Sequence, residues 1–419
     1  MKSLGVAAVL SAVLISIQPL RLLAQQRTPA SQEELIQMLL QRIDQLEKRV
    51  SELEGVQSKP AAAPPVAQHS MDDAARSPEV LQSAPEGPNL KIAGFSDLNF
   101  GASDQPGSKS GFTEGQFILH LNSNLSSKVS FMGEVSLTAR TDAGTGAPAA
   151  TGFNTELERS IIRFEHNDYL KLSFGRYHTP INYWNTAFHH GQWLQTSVAR
   201  PEMVQFGGKF IPVHFVGALL EGTAAAGGLN FNYNVGIGNG RGSVISRGGD
   251  AGDVNGSRAW LVNMFVKPDS LYGLQVGGSA YRDTVTTDGR NFREWITSGH
   301  IVWNRETPEL IAEFANVRHE NLTEASPLSN SQAYYIQAGY RLPVLEKRWK
   351  PYYRFEYIHI PKSDTLFQSQ SVPSLAGSVA GLRYDLSSFA ALKFEYRNQR
   401  RAPGQPRINS GFLQTSFTF

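Results

Sequence analysis

Hydrophobic and polar residues alternate from Leu90 to the C-terminal Phe419, and this period of two constrains the fold more than any other feature. In the segment Leu229–Ile237, large hydrophobic residues alternate with Asn230, Asn232 and Asn234. The segments 129–140 and 392–397 show the same alternation. A period of two places the two kinds of side chain on opposite faces of a β-strand. The pattern therefore predicts strands with one apolar face and one polar face.

The connections between the predicted strands alternate between short and long. Short turns are expected near Ser126–Lys128, Asn167–Asp168, Ala225–Gly227, Pro268–Asp269, Glu306–Pro308, Leu345–Arg348 and Leu386–Ser388. Longer connections are expected near residues 102–115, 141–153, 176–210, 238–257, 284–291, 318–331, 361–373 and 398–407. This alternation is typical of barrels that span the bacterial outer membrane. We predict about 16 antiparallel strands, an even number that places both ends of the barrel in the periplasm.

The N-terminal residues have the features of an export signal. Lys2 precedes the apolar segment from Leu4 to Pro19, and Ala24 offers a small residue for cleavage. We predict a signal peptide over residues 1–24, with an uncleaved membrane anchor as the alternative. No later stretch has about 18 consecutive apolar residues, so no transmembrane helix is predicted there. If the chain spans a membrane, it does so as a closed barrel, which satisfies its own backbone hydrogen bonds.

Residues 31–54 carry a heptad pattern that predicts a short α-helical coiled coil before the barrel. The apolar positions, alternately three and four residues apart, are Ile36, Leu39, Ile43, Leu46, Val50 and Leu53. β-Branched residues at position a with leucine at d favour a dimer. The six-residue segments Arg42–Glu47 and Arg49–Glu54, however, each begin with arginine and end with glutamate and resemble a trimerisation pattern of short coiled coils. We therefore predict a trimer. The residues expected to hold the chains together are Arg42, Ile43, Leu46, Glu47, Arg49, Val50, Leu53 and Glu54. A helix packed on its own domain is the alternative.

Residues 55–88 are rich in Ala, Pro, Ser and Gln and are predicted to form an extended periplasmic linker. The barrel is then expected over residues 89–419. A net charge of +2 without basic clusters argues against a nucleic-acid partner. The absence of cysteine excludes disulfides, thiolate metal sites and a cysteine nucleophile. No cofactor is predicted, because the segment Gly107–Gly111 has lysine at the nucleophile position of the hydrolase motif and no metalloprotease or phosphate-loop motif occurs.

The longest connection, about residues 176–210, is expected to fold into the barrel. It is about 35 residues long and carries aromatic residues that would be poorly placed in free solvent. Folding inward would bury these residues and narrow the channel. The histidines of this segment are predicted to pack against its aromatic rings rather than to bind a metal; they are His178, His189 and His190.

Three features of the chain occur together: the coiled-coil start, the strand end Gly175-Arg176-Tyr177-x-Thr179-Pro180, and the terminal Phe419. A last strand ending on phenylalanine resembles the C-terminal insertion signal of Gram-negative barrels. Together these features resemble the porin O and porin P group of trimeric outer-membrane porins, over nearly the whole mature chain. The resemblance implies a third outer loop that folds inward as a constriction, and basic lumen residues that select phosphate or other anions.

The polar strand faces carry both signs of charge. The predicted pore-lining and constriction residues are Arg159, Arg163, Lys171, Arg176, His178, Arg200, Arg354 and Arg383. The same faces carry acidic residues, namely Glu134, Asp283, Glu294, Glu313, Glu356 and Glu395. We therefore expect only a weak anion preference. The predicted function is passive diffusion of small hydrophilic solutes through an outer-membrane homotrimer without enzymatic activity; the alternatives are a structural or adhesion barrel and a barrel hydrolase.

Overall fold

The computed structural model describes residues 88–139, 152–188, 191–205 and 207–419. The predicted signal peptide, the predicted coiled coil with its trimerisation residues, and all of the predicted linker except Pro88 lie outside the described residues. His189 and His190 lie outside them as well. Among the residues described, no helix is long and apolar enough to cross a membrane.

Sixteen antiparallel strands form one closed barrel in the described part of the chain. They are β1 (Asn89–Ser103), β2 (Gly111–Asn124), β3 (Val129–Ala139), β4 (Phe153–Asn167), β5 (Leu170–His178), β6 (His214–Ala224), β7 (Phe231–Asn239), β8 (Ala259–Val266), β9 (Leu274–Thr287), β10 (Arg290–Trp303), β11 (Glu309–Asn321), β12 (Ser329–Gly339), β13 (Trp349–His359), β14 (Leu375–Ser387), β15 (Ala390–Arg400) and β16 (Ile408–Thr418). Each strand pairs with its neighbours in sequence, and β16 closes the barrel against β1. The predicted all-β barrel of about 16 strands is confirmed.

Helical structure among the described residues is confined to the connections. It consists of α1 (Trp184–Ala187), α2 (Thr365–Ser369) and short 3₁₀ helices at Glu202–Val204, Ala226–Gly228, Asp269–Leu271 and Leu345–Lys347. Asp364 begins α2 as its N-cap and accepts a hydrogen bond from the Phe367 N–H. This cap satisfies a backbone donor that the first turn of a helix leaves unpaired.

The two ends of the barrel differ in the length of their connections. We call the end that contains the start of β1 the turn end and the opposite end the loop end. The prediction of a long connection near residues 284–291 is wrong, because Asp288 and Gly289 alone join β9 to β10. Both residues have positive φ, 51° and 72°, as a two-residue hairpin turn of type I′ requires. Asp288 and Gly289 therefore form a tight hairpin turn between β9 and β10 at the loop end.

The outer face of the barrel exposes large hydrophobic side chains. On β4 and β5 these include Ile162, Phe164 and Phe174, and on β15 they include Leu392 and Phe394. They stand at alternate positions of their strands, with polar or charged residues on the inner face between them. Contiguous apolar surface of this kind is unfavourable in water and is typical of a surface that meets another apolar phase.

The inside of the barrel contains a hydrophobic core, which the alternation pattern did not lead us to expect. Leu261 and Tyr335 contribute to it from the wall, and Trp184 and Phe210 contribute from the connection between β5 and β6. The wall residues face packed protein rather than water at this level. Apolar side chains are therefore favoured on the inner face as well as the outer face of these strands.

Candidate functional site

The connection between β5 and β6, residues 179–213, crosses the interior of the barrel, and we call it the inner loop. The Asn182 N–H donates to Ser279 Oγ on β9 at 3.1 Å. Further along, Thr196 Oγ1 donates to a carboxylate of β11 at 2.9 Å, and the Val198 N–H donates to Glu395 of β15 at 3.0 Å. The inner loop therefore passes along the inner face of the wall from β5 to β15.

Buried carboxylates of the wall accept hydrogen bonds from the backbone of the inner loop. Glu313 Oε1 accepts from the N–H groups of Tyr183 and Trp184 at 2.8 and 2.6 Å. Glu356 Oε2 accepts from the Glu202 N–H at 2.7 Å. Each of these bonds pairs a backbone N–H group that lies inside the barrel. These glutamates hold the loop against the wall at separate points.

Basic residues of the same wall bind backbone carbonyl groups of the inner loop. Arg354 Nη1 donates to Ala199 O at 3.0 Å, and its Nη2 donates to Arg200 O at 3.3 Å. Arg383 Nη1 donates to the carbonyl oxygens of Trp193 and Gln195 at 2.6 and 3.0 Å. Arg354 and Arg383, both predicted as pore-lining residues, thus contact the loop.

The other predicted basic residues on β4 and β5 have acidic neighbours. Arg159 Nε lies 2.5 Å from Glu134 Oε2, which is also 3.4 Å from His178 Nε2. Arg163 Nη2 lies 3.0 Å from Glu221 Oε1. Lys171 lies 3.7 Å from Glu165. The positive charges in this region are therefore largely balanced by carboxylates, and sequence spacing did not indicate that pairing.

Arg176 lies within an acidic cluster near the loop end. Its Nη2 is 3.1 Å from Glu156 and its Nη1 is 3.5 Å from Glu158. Potential metal-ligating atoms of Glu156, Glu158 and His214 lie within 4.8 Å of one another. However, Arg176 Nη2 is also 3.1 Å from His214 Nδ1, and Arg247 lies 2.7 Å from Glu156. Guanidinium groups already supply the positive charge that these carboxylates require.

A second connection, residues 360–374 between β13 and β14, also packs inside the barrel. Its Asp364 lies 2.8 Å from His319 Nδ1, and His319 Nε2 lies 3.0 Å from Glu294. Phe367 of α2 packs on Phe210 of the inner loop with ring centroids 5.6 Å apart. This inward packing was not predicted from the sequence. The adjacent apolar residues Leu366 and Phe367, within a loop otherwise rich in polar residues, could have indicated it.

Cavities of about 580, 300 and 280 Å³ adjoin the inner loop, and we call the first and the last of them vestibules. The loop-end vestibule, about 580 Å³, is bounded by β1, β2, β15, β16 and the loop, and Arg200 lines it. The turn-end vestibule, about 280 Å³, is bounded by β2 to β9, and Arg159, Arg163 and His178 line it. Lys171, Arg176, Arg354 and Arg383 line neither of these two vestibules.

Arg200 is the predicted site residue that the inner loop itself contributes to the loop-end vestibule. Its side chain is buried. Burial lowers the pKa of Arg200 to about 9, with Glu158 and Glu313 acting in the opposite direction. Arg200 therefore remains positively charged at neutral pH.

Known proteins resemble this chain in structure rather than in sequence. No protein-family model and no curated protein matches the sequence. The anion-selective porin from Comamonas acidovorans superposes with a TM-score of 0.57 at 11% identity, covering 79% of this chain and 100% of that one. The outer membrane channel DcaP of Acinetobacter baumannii gives 0.53 at 12%, covering 81% and 99%. The trimer form of OmpT, an outer membrane protein of Vibrio cholerae, gives 0.52 at 11%, covering 80% and 100%. At these identities the likeness shows the barrel fold.

Proposed function

We propose that this chain is an outer-membrane porin through which small hydrophilic solutes diffuse down their gradients. The observation that carries the proposal is that the closed barrel retains two vestibules beside the inner loop, one towards each end. Polar and charged residues line both of them. The exposed hydrophobic residues of the outer face are suited to contact lipid. Two structural neighbours, an anion-selective porin and an outer membrane channel, support the same proposal.

Conduction is the direct test of this function. The purified, folded chain is expected to produce discrete conductance steps in planar lipid bilayers bathed in potassium chloride, whereas the same preparation denatured by heat should produce none. Folded protein that inserts without conducting would contradict the porin proposal and would favour a structural or adhesion barrel. Turnover of lipid or peptide by the pure protein, lost on replacement of a single serine or histidine, would favour the hydrolase alternative.

We further propose a homotrimer in the bacterial outer membrane, with the turn end and the N-terminal segment in the periplasm. The heptads of residues 31–54 support a trimer, and the neighbour from Vibrio cholerae has a trimer form. Replacing Ile43 with aspartate should weaken the trimer because it places a charge in the predicted coiled-coil seam. Molar mass in detergent, measured by light scattering, would show the change, and a trimer that survives unaltered would argue that the barrel alone holds the subunits together.

We propose that the channel has a weak preference for anions over cations, and that the charges lining the turn-end vestibule determine this preference. Replacing Arg163 with alanine is expected to shift the selectivity towards cations, because Glu221 would lose the guanidinium 3.0 Å away. The reversal potential in a salt gradient measures this shift. Arg282 provides a matched control, since its guanidinium lies over the ring of Trp295, 5.8 Å from the ring centroid, and it lines neither vestibule. An equal response from both variants would remove Arg163 from the selectivity residues.

A further inference from the structure

Arg397, on β15, presents a fixed guanidinium group to the loop-end vestibule. Its Nε donates to Glu395 Oε1 at 2.6 Å. The guanidinium carbon lies 4.1 Å from the ring centroid of Phe412 on the neighbouring strand. The carboxylate and the ring together restrain the plane of the guanidinium. Arginine held in this way loses little freedom on binding a ligand.

The two Nη groups of Arg397 have no hydrogen-bond partner within the described part of the chain. They form a planar pair of donors whose geometry matches the two oxygens of a carboxylate. Arg354 and Arg383 differ from Arg397 in this respect, because their Nη groups donate to the inner loop. Arg397 is therefore a guanidinium that can bind a solute without releasing a structural contact.

The charges around Arg397 favour an anion. Lys109 and Arg200 also line the loop-end vestibule, and Asp97 is the acidic residue among its lining residues. The Asp97 carboxylate already accepts hydrogen bonds from Asn99 Nδ2 at 2.6 Å and from the Gln116 N–H at 3.0 Å. Its negative charge is thus turned towards donors of the wall. With the Glu395 carboxylate beside Arg397 included, three cations (Arg397, Lys109 and Arg200) face two carboxylates, so a solute carboxylate would meet more positive than negative charge here.

Two side-chain amides of the vestibule add a second chemical requirement. The Oε1 atoms of Gln116 and Gln414 are buried and have no hydrogen-bond donor among the residues described. The Gln414 residue as a whole is only 3% exposed. A buried acceptor without a donor is unfavourable, so each of these oxygens would be stabilised by a hydroxyl group that enters the cavity and donates to it.

The spacing of these groups suits a single small ligand. Phe412 and Gln414 are two residues apart on the same face of β16, a separation of about 7 Å for an extended strand. A carboxylate bound to Arg397 over the Phe412 ring would place the remainder of a short molecule beside Gln414. The vestibule volume of about 580 Å³ accommodates a molecule of this size.

We propose that the loop-end vestibule binds small hydroxylated carboxylates, such as sugar acids, with Arg397 binding the carboxylate and the amide oxygens of Gln116 and Gln414 accepting from hydroxyl groups. As the substrate class of a channel, this inference rests on the proposed porin function. The two requirements distinguish such a ligand from its simpler relatives. Acetate has the carboxylate without the hydroxyl groups, and glucose has the hydroxyl groups without the carboxylate.

Isothermal titration calorimetry of the folded full-length chain in detergent tests the proposal with gluconate, acetate and glucose as probes. Gluconate is expected to bind at least about tenfold more tightly than acetate or glucose, because it alone satisfies both kinds of group. R397Q should weaken gluconate binding by about tenfold through loss of the charged donor pair. R400Q is the matched control, since Arg400 is an exposed arginine of the same strand outside the vestibule lining. It should bind gluconate like the unaltered chain.

Two further variants keep the test decisive. R397K retains the charge but not the planar donor pair, so gluconate affinity should fall even if R397Q fails to fold. Gln414→Leu should weaken gluconate binding and leave acetate binding unchanged. Equal affinities for gluconate and acetate, or an R397K variant that binds gluconate like the unaltered chain, would overturn the proposal. Calorimetry does not require conduction, so a chain that binds gluconate without conducting contradicts the porin function alone, and a conducting chain without this discrimination contradicts the binding site alone.

Discussion

Replacing Arg354 with alanine is expected to loosen the inner loop, destabilise the barrel and raise the single-channel conductance. The Arg354 side chain is 1% exposed and its Nε lies 2.6 Å from Glu356. Its loss would leave Glu356 as a buried, uncompensated charge and would remove donors from the carbonyl groups of Ala199 and Arg200. Removing one member of a buried ion pair costs about 3–5 kcal/mol. Urea unfolding in detergent and conductance in bilayers would measure the two effects.

An exposed pair provides the comparison for this variant. Arg293 lies 2.8 Å from Glu320, with side chains that are 37% and 43% exposed. Exposed pairs contribute about 0–1 kcal/mol, so Arg293→Ala should change neither stability nor conductance appreciably. If Arg354→Ala behaves like Arg293→Ala, the inner loop is held by its hydrophobic contacts and not by the ionic contacts with the wall.

Replacing His319 with leucine is expected to detach the inward-packed connection of residues 360–374. His319 lies between Glu294 and Asp364, whose side chains are both 0% exposed. Leucine would remove the one group that contacts both carboxylates in the described structure. Glu294 would keep Arg241 at 2.9 Å and Asp364 would keep the Ser331 hydroxyl at 2.6 Å, so the region should lose about 1–3 kcal/mol, the cost of removing one partner from buried polar groups. Limited proteolysis of folded protein should then cleave within residues 360–374 at a low protease concentration that spares the unaltered chain.

His359 is a suitable control for this second variant, because it is exposed at the end of β13, adjacent to the same connection. His359→Leu should leave the protease resistance of residues 360–374 unchanged. Resistance that persists in His319→Leu would show that the packing of Phe367 on Phe210 holds the connection without the histidine. In that case the network of His319, Glu294 and Asp364 is dispensable for closing this side of the barrel.

The candidate site could be predicted only in part. Charged residues on the polar strand faces were identified, among them Arg159, Arg163 and Arg354, but their partners were not. Arg383 and Gln195 are 188 residues apart in the chain, and no local pattern links them. Arg397 belongs to the alternating segment 392–397, yet its open pair of donors depends on Glu395 and on a ring from the next strand.

The barrel itself follows from local information in the sequence. Alternation of hydrophobic and polar residues specifies strands, and the lengths of the connections specify antiparallel neighbours, because both effects act over a few residues. The strand number was predicted for this reason. The hairpin at Asp288-Gly289, which we missed, is also encoded locally. Asp-Gly is a sequence signal for a two-residue turn, because both residues readily adopt the positive φ angles found here.

Only the tertiary structure decided what fills the barrel. The interior places residues from distant segments side by side, so a wall position faces water or protein according to where the inner loop lies. Leu261 and Tyr335 are buried in the core to which Trp184 and Phe210 of that loop belong, whereas Arg397 faces a cavity. The sequence specifies which face of each strand points inward. Whether an inward charge binds the loop or remains available to a solute depends on contacts between segments far apart in the chain, and a pattern of period two does not contain them.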